Sequence, residues 1–322
     1  MKKTIIASLI FLSQILYAQE EWRVVGELVF PVAGGKAVVL NNEIFISGGY
    51  SKETQSNVDW VQIFNPQLFD NEIITHMKNS RYGHLSSKIN EKLVFLGGIN
   101  DTGKINMSFE EYNVYLSDTT QIIASDSNFN RIFSTGVSHL DSYYLIGGNS
   151  FSEADSNTLS YVVEYDMIND SILYQSAKDS ISVLFPEQQM STMIGEDIFI
   201  FGGVSNGVSQ SIQKFNITTK TLDTLDILLL EPRAGGVVVR RGDGNEIYII
   251  GGFNEGSSAL SSVEIFSVDG ENYSIASGPE LLEARTNLMA AWAPSQELFV
   301  FGGYDTNGEV LSSAWSQSPI PL

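Results

Sequence analysis

The sequence predicts an all-β protein of six similar sheets arranged about an axis, a six-bladed β-propeller. Three observations predict it: a pair of adjacent glycines that returns six times, a strand-length apolar run before each pair, and a near-constant spacing. The runs NEIFISGG, KLVFLGG, YYLIGG, DIFIFGG, EIYIIGG and ELFVFGG end in Gly48-Gly49, Gly97-Gly98, Gly147-Gly148, Gly202-Gly203, Gly251-Gly252 and Gly302-Gly303. Successive first glycines lie 49, 50, 55, 49 and 51 residues apart. A period of that size marks a repeat architecture, and each interval holds about four short strands with their turns.

Within one repeat the elements follow in order. Residues 31–49 (PVAGGKAVVLNNEIFISGG) and 232–252 (PRAGGVVVRRGDGNEIYIIGG) both read as a glycine-bearing opening, an apolar strand, a polar turn, a second apolar strand and the glycine pair. Asn41-Asn42 and Gly242-Asp243-Gly244-Asn245 have hairpin chemistry. After each pair comes a polar loop and then a strand ending near an aromatic: Phe64, Tyr112, Tyr165, Phe215, Phe266 or Trp315. A fourth strand follows in most copies, as at 72–77 and 220–225. Continuous apolar runs, without alternation, fit strands buried on both faces. Two glycines at the end of such a strand serve close backbone approach and a sharp bend, because glycine has no Cβ and tolerates positive φ.

The glycine pair, the aromatic 13 to 18 residues later and the period near 50 resemble kelch repeats over nearly the whole chain. That resemblance implies a propeller whose blades each have four strands. The tryptophan usual in a kelch outer strand is mostly replaced, with Ile73, Ile122, Leu173, Leu222 and Tyr273 near its place. After Gly303 about one further strand remains, whereas residues 21–29 contain Trp22, so the first strand is expected to complete the sixth sheet and leave no open blade.

Residues 1–18 have a basic start, an apolar stretch from Ile5 to Leu16 and a small residue at Ala18, the pattern of a cleaved bacterial secretory leader. The expected domains are therefore this leader and a single propeller over 19–322, in the periplasm or secreted. No later segment has the roughly 20 apolar residues of a spanning helix. The 322 residues include no cysteine, which excludes disulfides and thiolate chemistry. It also excludes the cysteine–tyrosine cofactor of the copper oxidases that share this fold. A formal charge of −20, or −22 without Lys2 and Lys3, argues against nucleic acid and anionic lipid as partners.

Four of the seven arginines recur at the start of a repeat: Arg81, Arg131, Arg233 and Arg285. In a propeller this position and the loops after the glycine pairs emerge on one face, around the channel mouth. Two roles are open for them, bonding neighbouring blades or forking onto a ligand carboxylate. The first and fourth copies depart, with Val32 and Glu187 near the place, and His84 in RYGH stands beside the set. The loops 50–57, 99–107, 149–159, 204–209, 253–260 and 304–310 are the expected specificity elements. DTNGE and EADSN hold oxygen ligands but match no full calcium loop. Arg241-Gly242-Asp243 falls in a hairpin turn, and His76, His84 and His139 have no metal spacing. Neither a metal nor a cofactor is expected, and no GxSxG elbow is present.

The leading expectation is an exported, non-enzymatic scaffold that recognises a protein or glycan, with an anionic ligand suited to converging arginines. Kelch propellers also include the periplasmic sialic-acid mutarotase (N-acetylneuraminate epimerase), so the resemblance carries a second expectation, a carbohydrate-active enzyme, with no catalytic residue assigned. A third is a structural subunit of a cell-envelope assembly. Fold alone does not decide among these.

Overall fold

The computed structural model describes residues 21–116, 118–151, 156–159, 161–176 and 187–317. The expected leader and the middle of the 149–159 loop lie outside them. Six four-stranded antiparallel sheets form a closed ring. In the first, the strands run outward from the axis as Lys36–Leu40, Glu43–Ser47, Trp60–Asn65 and Asp70–His76. The hairpin joining its first two strands turns on Asn41 and Asn42, with φ of 55° and 66°, the doubly left-handed turn that Asn tolerates and that suits strand twist.

The innermost strands of the other five blades are Leu85–Ile89, Thr135–His139, Met190–Ile194, Val237–Arg240 and Met289–Trp292. Each touches the next around the axis, and the last touches the first. Short hairpins, Tyr50–Ser51 with Ser56–Asn57 and Asn149–Phe151 with Ser156–Thr158, decorate the loops after two glycine pairs. Among the described residues no helix is long and apolar enough to cross a membrane.

The core is divided into six apolar clusters, one at each junction between neighbouring blades. This arrangement follows from the second strand of each blade, such as Ile44, Phe45 and Ile46, in which successive side chains face opposite neighbours and every one is buried. Phe64 of the first blade meets Phe301 of the sixth at 4.9 Å in an edge-on pair, a geometry aromatic quadrupoles favour.

The sixth blade is built from both ends of the described chain. Its outer strand is Trp22–Glu27, paired antiparallel with Ser313–Gln317 from Trp22 opposite Gln317 to Glu27 opposite Ser313, with one irregularity between Val24 and Gly26. Trp22 is buried among Tyr248, Ile250, Leu281 and Trp315 at the junction with the fifth blade, and its indole N–H donates to Pro279 O at 3.0 Å. Trp22→Ala should therefore cost about 3–5 kcal/mol, read as a shifted urea midpoint. Deleting residues 21–30 should cost more, and an unchanged midpoint in either variant would refute closure by this strand.

Candidate functional site

The loops of the mouth face are drawn together by backbone. Among the described residues the N–H of the second glycine crosses to the next blade at five junctions: Gly49 to Arg81 O, Gly98 to Arg131 O, Gly203 to Arg233 O, Gly252 to Arg285 O and Gly303 to Val32 O, at 2.7 to 3.1 Å. The first glycine of the pair presses against the same carbonyl. A Cβ on Gly97 would stand 2.6 Å from Arg131 O, and one on Gly251 2.6 Å from Arg285 O, so no larger residue fits. Both glycines of each pair also hold positive φ.

The four arginines act in the opposite direction, from side chain to own blade. Arg81, Arg131, Arg233 and Arg285 are 0 to 1% exposed. Each donates from Nη1 to the carbonyl of its own blade's first glycine, Gly97, Gly147, Gly251 or Gly302, at 2.6 to 3.1 Å. The rest of each guanidinium is taken up differently. Arg81 reaches the buried Glu110 carboxylate at 3.0 Å and Arg233 reaches Glu264 at 2.5 Å. Arg131 lies over the Tyr161 ring at 4.9 Å and Arg285 over Trp315 at 3.7 Å. With no buried carboxylate of this kind, burial brings both Arg131 and Arg285 down to about 10. The four groups tie glycine corners to the blades, and none presents its guanidinium to solvent.

Two residues beyond each arginine position, the chain makes a second circuit. Gly34 N–H donates to Asn287 O, Asn287 to Gly235 O, Gly235 to Gln188 O, Gln188 to Phe133 O, Phe133 to Gly83 O and Gly83 to Gly34 O, at 2.7 to 3.1 Å. This closed ring of six hydrogen bonds visits every blade. All six residues are left-handed, with φ from 49° to 70°. It also fixes the register of the fourth blade: Glu187 pairs with Val204 as Tyr82 pairs with Ile99. Glu187 thus matches Tyr82, one residue past the arginine position the sequence suggested for it.

Aromatic rings cap this circuit. A Cβ on Gly83 would meet the Phe133 ring and one on Gly235 the Phe253 ring, each at 3.0 Å, and the Tyr82 ring covers Gly34. Tyr82 and Phe133 meet edge-on at 5.8 Å, and Tyr50 and Tyr304 lie 6.5 Å apart, tilted by 38°. Burial raises the Tyr82 and Tyr304 phenols above their ordinary value. All five rings are half-buried. The result is a broad, shallow, aromatic-bearing face with only a cleft of about 50 Å³ at its centre.

His84 lies beneath this face. It is fully buried, with Nε2 hydrogen-bonded to Ser47 Oγ at 3.0 Å and Nδ1 without a partner. Burial, then the charges of Arg81 and Lys36, hold it well below the usual histidine range, so it is neutral. His76 pairs with Asp59 at 2.9 Å on the surface. In DTNGE the Asp305 carboxylate accepts from the Asn307 and Glu309 N–H groups, the bonds of an Asx turn. Arg241 binds Glu246 at 3.1 Å and lies over Trp292 at 5.4 Å.

Residues 242–277, which run from the hairpin turn of the fifth blade through its outer strand, match the family model of the Kelch motif. A search of curated proteins returns no match.

Two outcomes test this geometry. Arg233→Met leaves the Glu264 carboxylate buried and unpaired, and should cost about 3–5 kcal/mol in urea unfolding; a loss below about 1 kcal/mol, the scale of an exposed pair, would contradict the buried role. For His84, the unfolded chain takes up a proton below about pH 6.5 that the folded chain refuses. Stability should therefore fall as pH drops from about 6.5 toward the folded value, and His84→Gln should flatten that part of the profile. An unchanged slope in the variant would contradict a buried, neutral His84.

Proposed function

Since the chain is a kelch-repeat propeller, we propose that it is a non-enzymatic scaffold that takes a protein partner on the channel-mouth face. Kelch propellers are commonly protein-binding scaffolds. The observation that carries the reading is the shallow platform of Tyr50, Tyr82, Phe133, Phe253 and Tyr304 above a mouth sealed by backbone bonds. Partly buried aromatics on a rigid base are the composition of interface anchors. The loops around them carry Glu53, Asp101, Glu255, Asp305 and Glu309 against Lys52 and Lys104. A partner surface with basic character complements that rim.

The leader-like residues 1–18 support an exported protein, so the partner is to be sought in the periplasm, in a cell-envelope assembly or outside the cell. The mutarotase reading drew on arginines converging at the mouth. With those four guanidinium groups buried, that support is withdrawn, as is the support for an anionic ligand on the loops.

The test is affinity capture from envelope and extracellular fractions of the producing cell with the mature protein as bait. Tyr50→Ala/Tyr304→Ala should lose the captured protein, and Lys88→Glu, an exposed change at the far end of an inner strand, should retain it. Retention by the tyrosine variant would refute the mouth face as the docking surface. Elution by free sugars instead would favour a glycan ligand.

A further inference from the structure

The outermost strand of each blade has a neighbour on one side only, and such an edge pairs readily with another chain unless something blunts it. Two blunting devices recur here. Among the described residues an irregularity interrupts the outer pairing in five blades, at Val24/Gly26, Val61/Gln62, Phe109/Glu110, Glu164/Tyr165 and Ser211/Gln213. Charges also sit in three of those outer strands: Asp70 and Glu72 in the first blade, Asp223 and Asp226 in the fourth, Arg23 and Glu27 in the sixth. The fifth blade has neither device. Its outer strand Asn272–Ser277 pairs with Val263–Asp269 without a break, from Asp269 opposite Asn272 to Glu264 opposite Ser277. The six residues, Asn-Tyr-Ser-Ile-Ala-Ser, include no charge and no proline.

The hairpin decides which backbone groups this edge offers. Asp269 and Asn272 flank the two-residue turn Gly270-Glu271, and further along the ladder Gly278 N–H donates to Val263 O at 2.8 Å. Bonded and unbonded residues alternate along an antiparallel pair. Asn272, Ser274 and Ala276 therefore direct their N–H and C=O groups to the inner neighbour, and those of Tyr273, Ile275 and Ser277 point outward. Among the described residues no strand covers them. The side chains divide in the same rhythm. Tyr273 and Ile275 pack into the junction with the fourth blade, whereas Asn272, Ser274 and Ala276 are exposed and small.

We propose that this edge pairs with the same edge of a second copy of the chain, antiparallel about a two-fold axis at Ile275, so that two fifth blades become one continuous sheet. In that register Ile275 exchanges backbone bonds with Ile275 of the other copy, and Tyr273 with Ser277. Ser274 lies opposite Ala276, side by side on the exposed face. Charge selects a second copy as the occupant. On a chain of formal charge −20, copies repel wherever acids are opposed, and this strand contributes none. The flanking Glu271 meets Pro279 and Glu280 meets Gly270, so no acid stands directly opposite an acid. Self-complementary two-fold pairing is also the commonest closed assembly. A contact along about 20 Å of strand buries less than the roughly 800 Å² per partner of a standard interface, so the dimer is weak and concentration-dependent. It uses the rim, apart from the mouth platform, and stands or falls independently of the partner proposed above.

Sedimentation equilibrium of the mature protein tests this. The wild type should pass from monomer to dimer with a midpoint between about 10 µM and 1 mM. Ser274→Glu/Ala276→Glu sets acids opposite each other across the axis and should weaken the dimer about tenfold or more, whereas Ser274→Lys/Ala276→Glu sets a lysine opposite each acid and should dimerise at least as well as the wild type. Ser277→Pro removes an outward N–H at an exposed edge position, where proline is tolerated, and should also weaken the dimer. These side chains are exposed, so the melting temperature of each variant at low concentration should stay near that of the wild type. Tyr50→Ala/Tyr304→Ala should dimerise unchanged. The proposal is overturned if the wild type stays monomeric up to roughly 1 mM, which would leave the edge to a strand of another protein. It is equally overturned if the acid pair leaves the dimer intact, or if the lysine–acid pair dimerises no better than the acid pair.

Discussion

Six blades can surround an axis only if something sets the distance at which their inner ends meet. Here that constraint is the closed circuit of backbone hydrogen bonds through Gly34, Gly83, Phe133, Gln188, Gly235 and Asn287. Each residue donates to one neighbour and accepts from the other, so the ring needs a left-handed backbone in every blade at the same place. Three blades meet this with glycine. Phe133, Gln188 and Asn287 adopt the same conformation at a strain of order 1 kcal/mol or more, which persists because five other blades hold the geometry. The ring narrows the mouth and uses its amides and carbonyls, leaving recognition to the aromatic side chains above.

The paired glycines and the arginines are consequences of that closure. Bringing blades this near places the first glycine of five described pairs against a neighbour's carbonyl, and the second glycine N–H bonds to the same oxygen. The first glycine's own carbonyl then turns into a dry corner, where a buried guanidinium satisfies it. A cation in such a place is itself costly. Glu110 and Glu264 offset that cost for Arg81 and Arg233, and aromatic faces do so for Arg131 and Arg285. Four sets of neighbours solve one local problem, and the first blade omits the cation altogether by placing Val32 there.

Much of this architecture was legible in the chain because it rests on repetition. Glycine pairs at a steady period fix blade number, and Trp22 in an otherwise unpartnered first strand announces closure. The recurring arginines were legible as a set, but their direction was not. A guanidinium at a channel mouth and one turned into a blade corner have the same spacing, and only the burial of Gly97 O or Gly251 O separates them. The ring escaped notice because backbone atoms form it, and its side chains vary from Gly to Phe, Gln and Asn.

A ring that holds the blades together must be as stable as the whole molecule, and amide hydrogen exchange at its six residues measures this most directly. If the circuit holds the propeller closed, the N–H groups of Gly34, Gly83, Phe133, Gln188, Gly235 and Asn287 should exchange only through global unfolding, with the same free energy as the second strands of the blades. Exchange of these six by local opening, while the second strands stay protected, would show that the blades meet without the ring and would contradict the account.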